Sequence, residues 1–221
     1  MSVCLTSRMR VIGSKDFTPF DWEAVQASHQ RHLPQLDQPG AIYFVTFRLG
    51  DSVPQKVLKS WLYEREGWRR SHPEPWDEGM LKEYRRLFTV RMERWLDAGS
   101  GECVLRDEGV RTEVAERLLF KHGTDYDLGD WVVMPNHVHV LLQPIGDKPL
   151  HEILKSIKGV SARNLNRLLG KTGSLWMDES FSHIVRSLEQ LKKIQRYIQV
   201  NPQKAGLPAT DFSYEQRWEV A

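Results

Sequence analysis

Aromatic and β-branched residues concentrate in four short segments of the chain, a pattern typical of β-strands. The segment AIYFVTFRL, residues 41–49, is closed by Gly50, Asp51 and Pro54 and predicts a strand in the interior of a sheet. DYDLGDWVVMP and HVHVLLQP predict two strands joined by a tight turn at residues 134–136, because Pro135 has no N–H for a central ladder. FSHIVRS, residues 181–187, predicts a short further strand.

Helical periodicity fills the segments between these strands. Residues 55–68 and 79–99 predict two helices separated by the break SHPEPWDEG, and residues 111–123 predict a helix that ends at Gly123. Residues 149–171 predict a helix that Gly159 weakens in its middle. Residues 188–200 predict a last helix, which we expect to stop at Asn201-Pro202 because the residue before a proline disfavours the helical conformation.

This order of elements predicts an α+β fold, an antiparallel sheet with helices packed on it. We expect one main domain at residues 41–207, with a helical insertion at about 55–97, an N-terminal arm at 1–40 and a C-terminal tail at 208–221. No dinucleotide-binding glycine motif or P-loop is present in the sequence.

The composition is that of a soluble globular protein, with 40% hydrophobic and 27% charged residues and no apolar run long enough to span a membrane. The opening segment MSVCLTSRMRVIGSKDF lacks the apolar core of a secretory signal, and Cys4 and Cys103 are too few for a disulfide framework. We therefore expect a cytoplasmic protein without membrane contact.

The net charge of +2 is unevenly distributed along the chain. Residues 151–206 hold ten basic and four acidic side chains, a net charge of +6, so the remainder sums to −4. A basic third of this kind is a candidate phosphate-binding surface. The alternative is an ordinary solvated helix face, which the charge alone favours.

Two histidines open the second strand of the predicted hairpin. His137 and His139 alternate with apolar residues, so both side chains point to one face with their Cα atoms about 6.5–7 Å apart. At that separation they can converge on one metal ion, although hydrogen-bonded strand histidines are an equally good interpretation. No CxxC pair is present, and HEILK at His151 lacks the second histidine of a HExxH motif. An open, partly oxygen-liganded site for Mg²⁺ or Mn²⁺ fits this ligand set better than a closed zinc site.

A second candidate constellation lies in YIQVNPQKAG, residues 197–206. Tyr197 and Asn201 are four residues apart, so on a helix they share a face, where one can attack a substrate and the other can bind metal. Taken alone, the segment favours a core tyrosine followed by an Asn-Pro helix stop.

MPNHVHVLL followed by YIQVNPQKAG resembles the single-tyrosine HUH transposases, and more narrowly the REP-associated tyrosine transposases of bacteria. The resemblance extends over most of residues 31–207, through the segments HLPQLDQPGAIYFVTFRLGDSVP, LFTVRMERWLDAGSGECVLRD and LNRLLGKTGSLWMDESFSHIVRS. The combination of these motifs is far more specific than either histidines or tyrosine alone.

The resemblance implies an HUH-endonuclease fold with a ferredoxin- or RRM-like core. It also implies a metal-dependent endonuclease and strand transferase that acts on single-stranded DNA beside hairpins through a covalent 5′-phosphotyrosine intermediate. Residue by residue, His137 and His139 match the metal-binding pair, Tyr197 matches the nucleophile and Asn201 matches the third metal ligand. The cofactor would be Mg²⁺ or Mn²⁺, and a tyrosine needs such help because its ordinary pKa is near 10.

The basic third of the chain provides candidate DNA-binding residues. We expect the cationic side chains to bind backbone phosphates and the amides to reach base edges, although each is also compatible with a solvated helix: Lys155, Lys158, Arg163, Asn164, Asn166, Arg167 and Lys204. Trp176 is a candidate for stacking on an unpaired base, but a tryptophan in a short apolar stretch is more often part of the core.

Two other functions remain open at the level of the sequence. A domesticated relative would bind hairpin DNA or RNA without cutting it, and a plain metal hydrolase would use water in place of Tyr197. The tail after KAGLPATDFSYEQRW is shorter than in many members of the family, which concerns hairpin recognition more than chemistry. We expect a monomer that associates with the nucleoid when bound to DNA, with a dimer as the alternative.

Overall fold

The computed structural model describes residues 9–21, 23, 26–28, 35–73 and 76–221. Its helices are α1 Gln55–Ser71, α2 Glu78–Tyr84, α3 Val90–Asp97, α4 Glu108–Leu119, α5 Leu150–Leu169 and α6 Leu188–Lys204, and a π-helical turn, Arg85–Thr89, joins α2 to α3. Its strands are β1 Arg10–Ile12, β2 Gln26–Ser28, β3 Gln35–Asp37, β4 Tyr43–Arg48, β5 Tyr126–Val133, β6 His137–Pro144, β7 Phe181–Ile184, β8 Ser213–Glu215 and β9 Trp218–Val220.

The main sheet has five strands in the order β7-β4-β6-β5-β8, and every neighbouring pair is antiparallel. The α+β prediction and the four predicted strands are therefore confirmed. β6, which carries the two histidines, is the central strand of the sheet. Two small pairs complete the strand pairing, β1 parallel to β9 and β2 antiparallel to β3.

Helices cover both faces of the sheet, which explains why β6 is nearly continuous in apolar residues. Val138, Val140 and Leu142 face the layer formed by α4 and α5. Leu141 faces α6, together with Phe44 of β4. Because side chains alternate along a strand, His137 and His139 lie on the α6 face.

The helical insertion forms its own apolar cluster beside the edge of the sheet. Its buried members are Val53, Leu58, Trp61, Phe88, Met92 and Leu96, and Phe181 of β7 packs against them. The predicted break is confirmed, since α1 ends at Ser71 and the Asp77 side chain caps α2 by accepting the N–H of Met80. The π-helical turn was not predicted.

Two predicted helix ends are wrong. α4 ends at Leu119, and the chain turns before it reaches Gly123, whose φ is +80°. α6 continues through Pro202 to Lys204. The bias against a helical residue before proline is modest, and here it is overridden because Asn201 and Pro202 are both buried in the last turn. The continued helix keeps Asn201 on the same face as Tyr197.

The segment predicted as a C-terminal tail supplies β8 at the edge of the sheet and β9 beside β1. Trp218 of β9 is fully buried, and the buried carboxylate of Asp130 accepts the N–H groups of Arg217 and Trp218 at 2.9 and 3.0 Å. The predicted N-terminal arm lies partly outside the described residues. Among the described helices, none combines the length and the apolar character that a membrane span requires.

Candidate active site

The two histidine rings converge at the start of β6. Their Nε2 atoms are 3.1 Å apart, and both side chains are fully buried. A pair of neighbouring ligands on one ion bound at about 2.1 Å has nitrogen atoms about 3 Å apart when the angle at the ion is near 90°. The separation therefore fits two imidazoles that share one ion.

Asn136 fixes the proton position on His137. Its side-chain nitrogen donates to the carbonyls of Leu96 and Ser100 at 3.2 and 3.1 Å, so its oxygen faces the Nδ1 of His137 at 2.7 Å. An amide oxygen only accepts hydrogen bonds, so the Nδ1 of His137 must carry the proton. The lone pair of His137 Nε2 is consequently directed towards His139.

His139 is held by β4. The Nδ1 of its ring lies 2.7 Å from the Oγ1 of Thr46, the residue directly opposite it in the sheet. The ring of Phe44 stacks on the imidazole, with the ring centres 5.5 Å apart. These contacts fix the ring and leave its Nε2 facing the same point as that of His137.

Burial keeps both imidazoles neutral. It lowers the pKa of His137 to about 3, with the positive charge of Arg48 contributing in the same direction. Burial also places the pKa of His139 well below its ordinary value, and His137 adds to this effect. Neutral imidazole is the form that binds metal ions, so the pair is ready to bind at neutral pH.

Tyr197 of α6 approaches this pair from the helix layer. Its hydroxyl lies 3.4 Å from the Nε2 of His139, and its ring packs edge-on against His139 and Phe44. The Nζ of Lys204 lies 5.4 Å from the centre of the phenol ring. The structure thus brings together His137, His139 and Tyr197.

The free phenol is a weak nucleophile in this environment. Burial raises the pKa of Tyr197 well above its ordinary value, and the carboxylates of Glu93 and Asp97 add to the rise. Asn201 and Arg85 oppose it. The oxygen therefore needs a nearby cation or a proton acceptor before it can attack.

Asn201 lies one turn after Tyr197 and is fully buried. Neither atom of its amide makes a hydrogen bond of normal geometry, although the side chain is close enough to Tyr197 to favour the phenolate. Buried amides without partners are rare in proteins, so this one fits a ligand position. Across the part of the chain that the structure describes, no three His, Cys, Asp or Glu side chains cluster. The structure thus provides two converging imidazoles and, beside Tyr197, one buried amide without a partner among the described residues.

The helical insertion places two acidic side chains, Glu93 and Asp97, near Tyr197, which the sequence did not predict. Glu93 and Asp97 lie one turn apart on α3, and Asn136, in the turn before β6, donates to the carbonyl of Leu96 on the same helix. Burial raises the pKa of Glu93 to about 7, while Arg85 and Lys204 partly offset this. The only signal in the sequence was the four-residue spacing of the two acids on a predicted helix.

The candidate DNA-binding residues of α5 lie on the other side of the sheet. Lys155, Arg163 and Arg167 are exposed there. Lys158 donates to the carbonyl of Asp178 and to Ser180, and Asn164 donates to the carboxylate of Glu113.

Asn166 and Trp176 both have partners within the protein. Asn166 donates to the carbonyl of Gly173 at 2.8 Å. Trp176 is buried in the core, where it donates to Ser161 and packs against Phe47. Of the candidate DNA-binding residues, Lys204 alone lies at the tyrosine.

The site combines an antiparallel sheet, two histidines on its central strand and a tyrosine on the helix that covers them. These are the features that the resemblance to the single-tyrosine HUH transposases led us to expect. Residues 104–201 match the model of the family described as "Transposase IS200 like". The matched segment contains His137, His139, Tyr197 and Asn201. The resemblance to the single-tyrosine transposases, inferred from the sequence, is thus supported over residues 104–201.

The chain is also similar to a solved structure, described as the REP-associated tyrosine transposase bound to a REP hairpin. The two share 16% identity and a TM-score of 0.42, over 83% of this chain and 76% of the other. No curated protein matches the chain significantly.

Proposed function

We propose that this protein is a metal-dependent endonuclease and strand transferase that acts on single-stranded DNA beside hairpins. The observation that carries the proposal is the position of the Tyr197 hydroxyl, 3.4 Å from the Nε2 of His139, which itself lies 3.1 Å from the Nε2 of His137. A hydroxyl and two neutral ring nitrogens thus lie each within 3.4 Å of the next, the arrangement that a nucleophile and two metal ligands would need. The family match over residues 104–201 supports the same activity.

In this proposal the phenol of Tyr197 loses its proton, and its oxygen attacks the phosphorus of the scissile phosphodiester. The bond from phosphorus to the 3′ oxygen breaks, the 5′ phosphate becomes bonded to the tyrosine, and the 3′ oxygen takes up a proton to leave as a hydroxyl. The covalent bond preserves the energy of the phosphodiester. Rejoining to another 3′ hydroxyl is therefore open to the enzyme.

His137, His139 and Asn201 would hold Mg²⁺ or Mn²⁺. When bound, the ion offsets the charge that develops on the phosphate oxygens. Asn136 and Thr46 keep both imidazoles oriented through their Nδ1 atoms before DNA arrives. Phe44 limits the rotation of the Tyr197 and His139 rings by packing against both.

The partner would be single-stranded or hairpin DNA of bacterial repeat elements. Lys204 lies at the tyrosine and would bind a phosphate close to the cleaved one, whereas Lys155, Lys158, Arg163, Asn164 and Arg167 would bind more distant parts of the DNA. We propose that the protein acts as a monomer in the cytoplasm, associated with the nucleoid.

The test compares wild type with Tyr197→Phe on labelled single-stranded hairpin DNA in the presence of Mg²⁺ or Mn²⁺. We expect wild type alone to give a protease-sensitive, slowly migrating band that needs the divalent ion. Tyr63→Phe is the matched control, because Tyr63 is 80% exposed on α1 and loses the same hydroxyl. This control should form the band as wild type does.

Two other outcomes would replace the proposal. If wild type and Tyr197→Phe both cut the DNA without a covalent band, water is the nucleophile and the protein is a metal hydrolase. If both bind several hairpins without cutting them, the protein is a hairpin-binding module.

A further inference from the structure

Arg48, the last residue of β4, is a buried cation beside the histidine pair. It stands directly opposite His137 in the sheet, and directly opposed residues of antiparallel strands point to the same face. Its side chain is 3% exposed. Its positive charge contributes to the low pKa of His137, after the larger effect of burial.

The guanidinium has little to compensate for its burial. Its Nη1 donates to the hydroxyl of Ser52 at 3.1 Å, and its Nε has no hydrogen-bond partner. Within the described parts of the chain, no carboxylate oxygen forms an ion pair with Arg48. Glu179 is the nearby acid, but it pairs with Arg65 at 3.1 Å. A buried charge without an opposite charge is costly, so its presence calls for an explanation.

The other buried arginines of the described chain are better satisfied. Arg65 and Arg217 pair with carboxylates, and Arg111 donates to four oxygen atoms of Leu105, Arg106, Thr210 and Ser213. Arg117 donates to Ser156 and lies over the ring of Phe120. Arg117 also has one hydroxyl as its hydrogen-bond partner, but Arg48 has neither a carboxylate nor an aromatic ring against its guanidinium among the described residues.

The order of groups along this face of the sheet shows what Arg48 would bind. Arg48 lies beside His137, His137 faces His139, and His139 contacts the hydroxyl of Tyr197. Arg48 is therefore the cationic neighbour of the histidine pair on β4, and the phenol is its neighbour on α6. A guanidinium donates two parallel hydrogen bonds to phosphate oxygens, and it does so most strongly where water is excluded.

We propose that Arg48 is a phosphate-binding residue of the active site, whose guanidinium contacts a non-bridging oxygen of the scissile phosphate. This inference rests on the proposed function. Burial lowers the pKa of Arg48 only to about 10, so the side chain stays charged at neutral pH. Among the described residues the guanidinium has no ion pair, and the scissile phosphate would supply the opposite charge.

The test combines a protein change with a matching change in the DNA. Wild type and Arg48→Met are given hairpin DNA with either a normal scissile phosphate or a methylphosphonate, in which a neutral methyl group replaces one non-bridging oxygen. The measurement is the rate of covalent adduct formation in a single turnover at saturating DNA and Mn²⁺. With the normal phosphate we expect Arg48→Met to be slower by about 10²–10³-fold, the usual effect of losing one donor to a developing oxyanion.

The methylphosphonate separates recognition of the phosphate from a structural role. It should slow wild type strongly and Arg48→Met little, so that the two proteins differ by less than about tenfold on this DNA. A merely structural arginine would slow the reaction by the same factor on both DNAs, and that result would overturn the inference.

Stability supplies a second, independent measurement. Because Arg48 is buried without an opposite charge, Arg48→Met should raise the Tm of the DNA-free protein while lowering its activity. Arg111→Met is the matched control, since it removes a buried arginine whose donors are satisfied, and it should lower the Tm without changing the ratio of rates on the two DNAs. If Arg48→Met does not fold, Arg48→Lys keeps the charge and should show a smaller loss of rate on the normal phosphate alone.

The failure of this inference is distinguishable from the failure of the proposed function. If wild type forms the adduct and Arg48→Met forms it equally fast, Arg48 does not bind the phosphate and the proposed function stands. If wild type forms no adduct on any hairpin, both proposals are overturned.

Discussion

At the scale of single residues, the site depends on side chains that orient the two histidine rings. Asn136 and Thr46 each engage the Nδ1 atom of one histidine, which leaves both Nε2 atoms facing the same point. The histidines, Tyr197 and Asn201 were predicted from the sequence because they belong to short motifs. Asn136, Thr46 and Arg48 were not, since their roles depend on the register of β4 against β6, which no local pattern reveals.

Thr46→Val should weaken metal binding without removing a ligand. Valine has the same shape but cannot form a hydrogen bond with the Nδ1 of His139, so the ring loses the contact that orients it. Loss of such a supporting hydrogen bond commonly lowers metal affinity by about 10–100-fold. Titration calorimetry with Mn²⁺ measures the change, and Thr46→Ser, which keeps the hydroxyl, should bind nearly as wild type does. Equal affinities for Thr46→Val and wild type would show that the hydroxyl does not orient the ring.

His183 makes the stability of the fold depend on pH. It lies on β7 with its ring against Phe44, and burial lowers its pKa to about 4. In the unfolded chain the pKa of a histidine is near 6.5. Above that pH the ring is neutral in both states, and the free energy of unfolding is at its full value. It falls as the pH drops from 6.5 towards 4, because the unfolded chain then binds a proton that the buried ring does not. Between pH 7 and pH 5, the free energy of unfolding should fall by about 1–2 kcal/mol less in His183→Gln than in wild type. Urea denaturation at both pH values measures this, and parallel losses in the two proteins would contradict it.

At the scale of elements, the periodicity of apolar residues predicted each major helix and strand near the site. Two features escaped prediction because tertiary packing decides them. α6 passes through Pro202, since burial of its last turn outweighs the local bias against helix. The π-helical turn of the insertion is likewise invisible in the sequence, yet it carries Arg85 towards Tyr197 and Glu93.

Two glycines offer a matched test of packing. A Cβ atom on Gly129 of β5 would lie 2.6 Å from the Trp218 ring and 2.8 Å from Leu141, whereas one on Gly159 of α5 would meet nothing within 4 Å. Gly129→Ala should therefore lower the free energy of unfolding by about 1–3 kcal/mol through overpacking. Gly159→Ala should raise it by about 0.5–1 kcal/mol, because alanine favours the helix. Urea denaturation compares them, and a neutral Gly129→Ala would show that β9 does not pack tightly on β5.

Glu93 should destabilise the insertion as the pH rises. Burial raises its pKa to about 7 in the folded protein, against an ordinary value of 4.5. The contribution of the protonated carboxyl group to the free energy of unfolding is therefore present below pH 4.5 and is lost as the pH rises to 7. Glu93→Gln cannot ionise, and relative to wild type it should gain about 1–3 kcal/mol in the free energy of unfolding between pH 5 and pH 8.

The control for Glu93→Gln is Glu116→Gln, which changes an exposed glutamate of α4 in the same way. It controls for the loss of one negative charge, so the effect of burying Glu93 is the difference between the two variants. Thermal or urea unfolding at the two pH values gives both comparisons. A Glu93→Gln variant that gains nothing with pH would mean that Arg85 and Lys204 fully compensate the carboxylate in the folded protein.

At the scale of the whole molecule, the candidate active site and the exposed cations of α5 lie on opposite sides of the sheet. The histidines and Tyr197 lie on the α6 side, while α5 carries exposed cations on the other side. The sequence predicted both the basic segment and the catalytic motifs, but the side of the sheet on which each helix packs is a property of the folded chain. DNA that reaches both must pass around an edge of the sheet.

This separation predicts that α5 contributes to DNA affinity and not to the chemical step. The triple variant Lys155→Gln, Arg163→Gln, Arg167→Gln removes three exposed charges far from Tyr197. If each charge contacts a phosphate, the slope of log affinity against log salt should become shallower by about 2–3. The rate of adduct formation at saturating DNA should stay at the wild-type value, because no group near the histidines has changed.

Removal of any three cations also weakens DNA binding through the net charge, so the comparison needs an equal loss elsewhere. Lys56, Lys59 and Lys82 are exposed on α1 and α2, and their replacement by glutamine lowers the net charge by the same amount. If α5 contacts phosphates, the salt slope should change more for the α5 variant than for this control. Equal changes would mean that charge acts only at long range and that the hairpin lies wholly on the α6 side, in which case Lys204 and Arg48 must supply the cationic contacts at the cleaved strand.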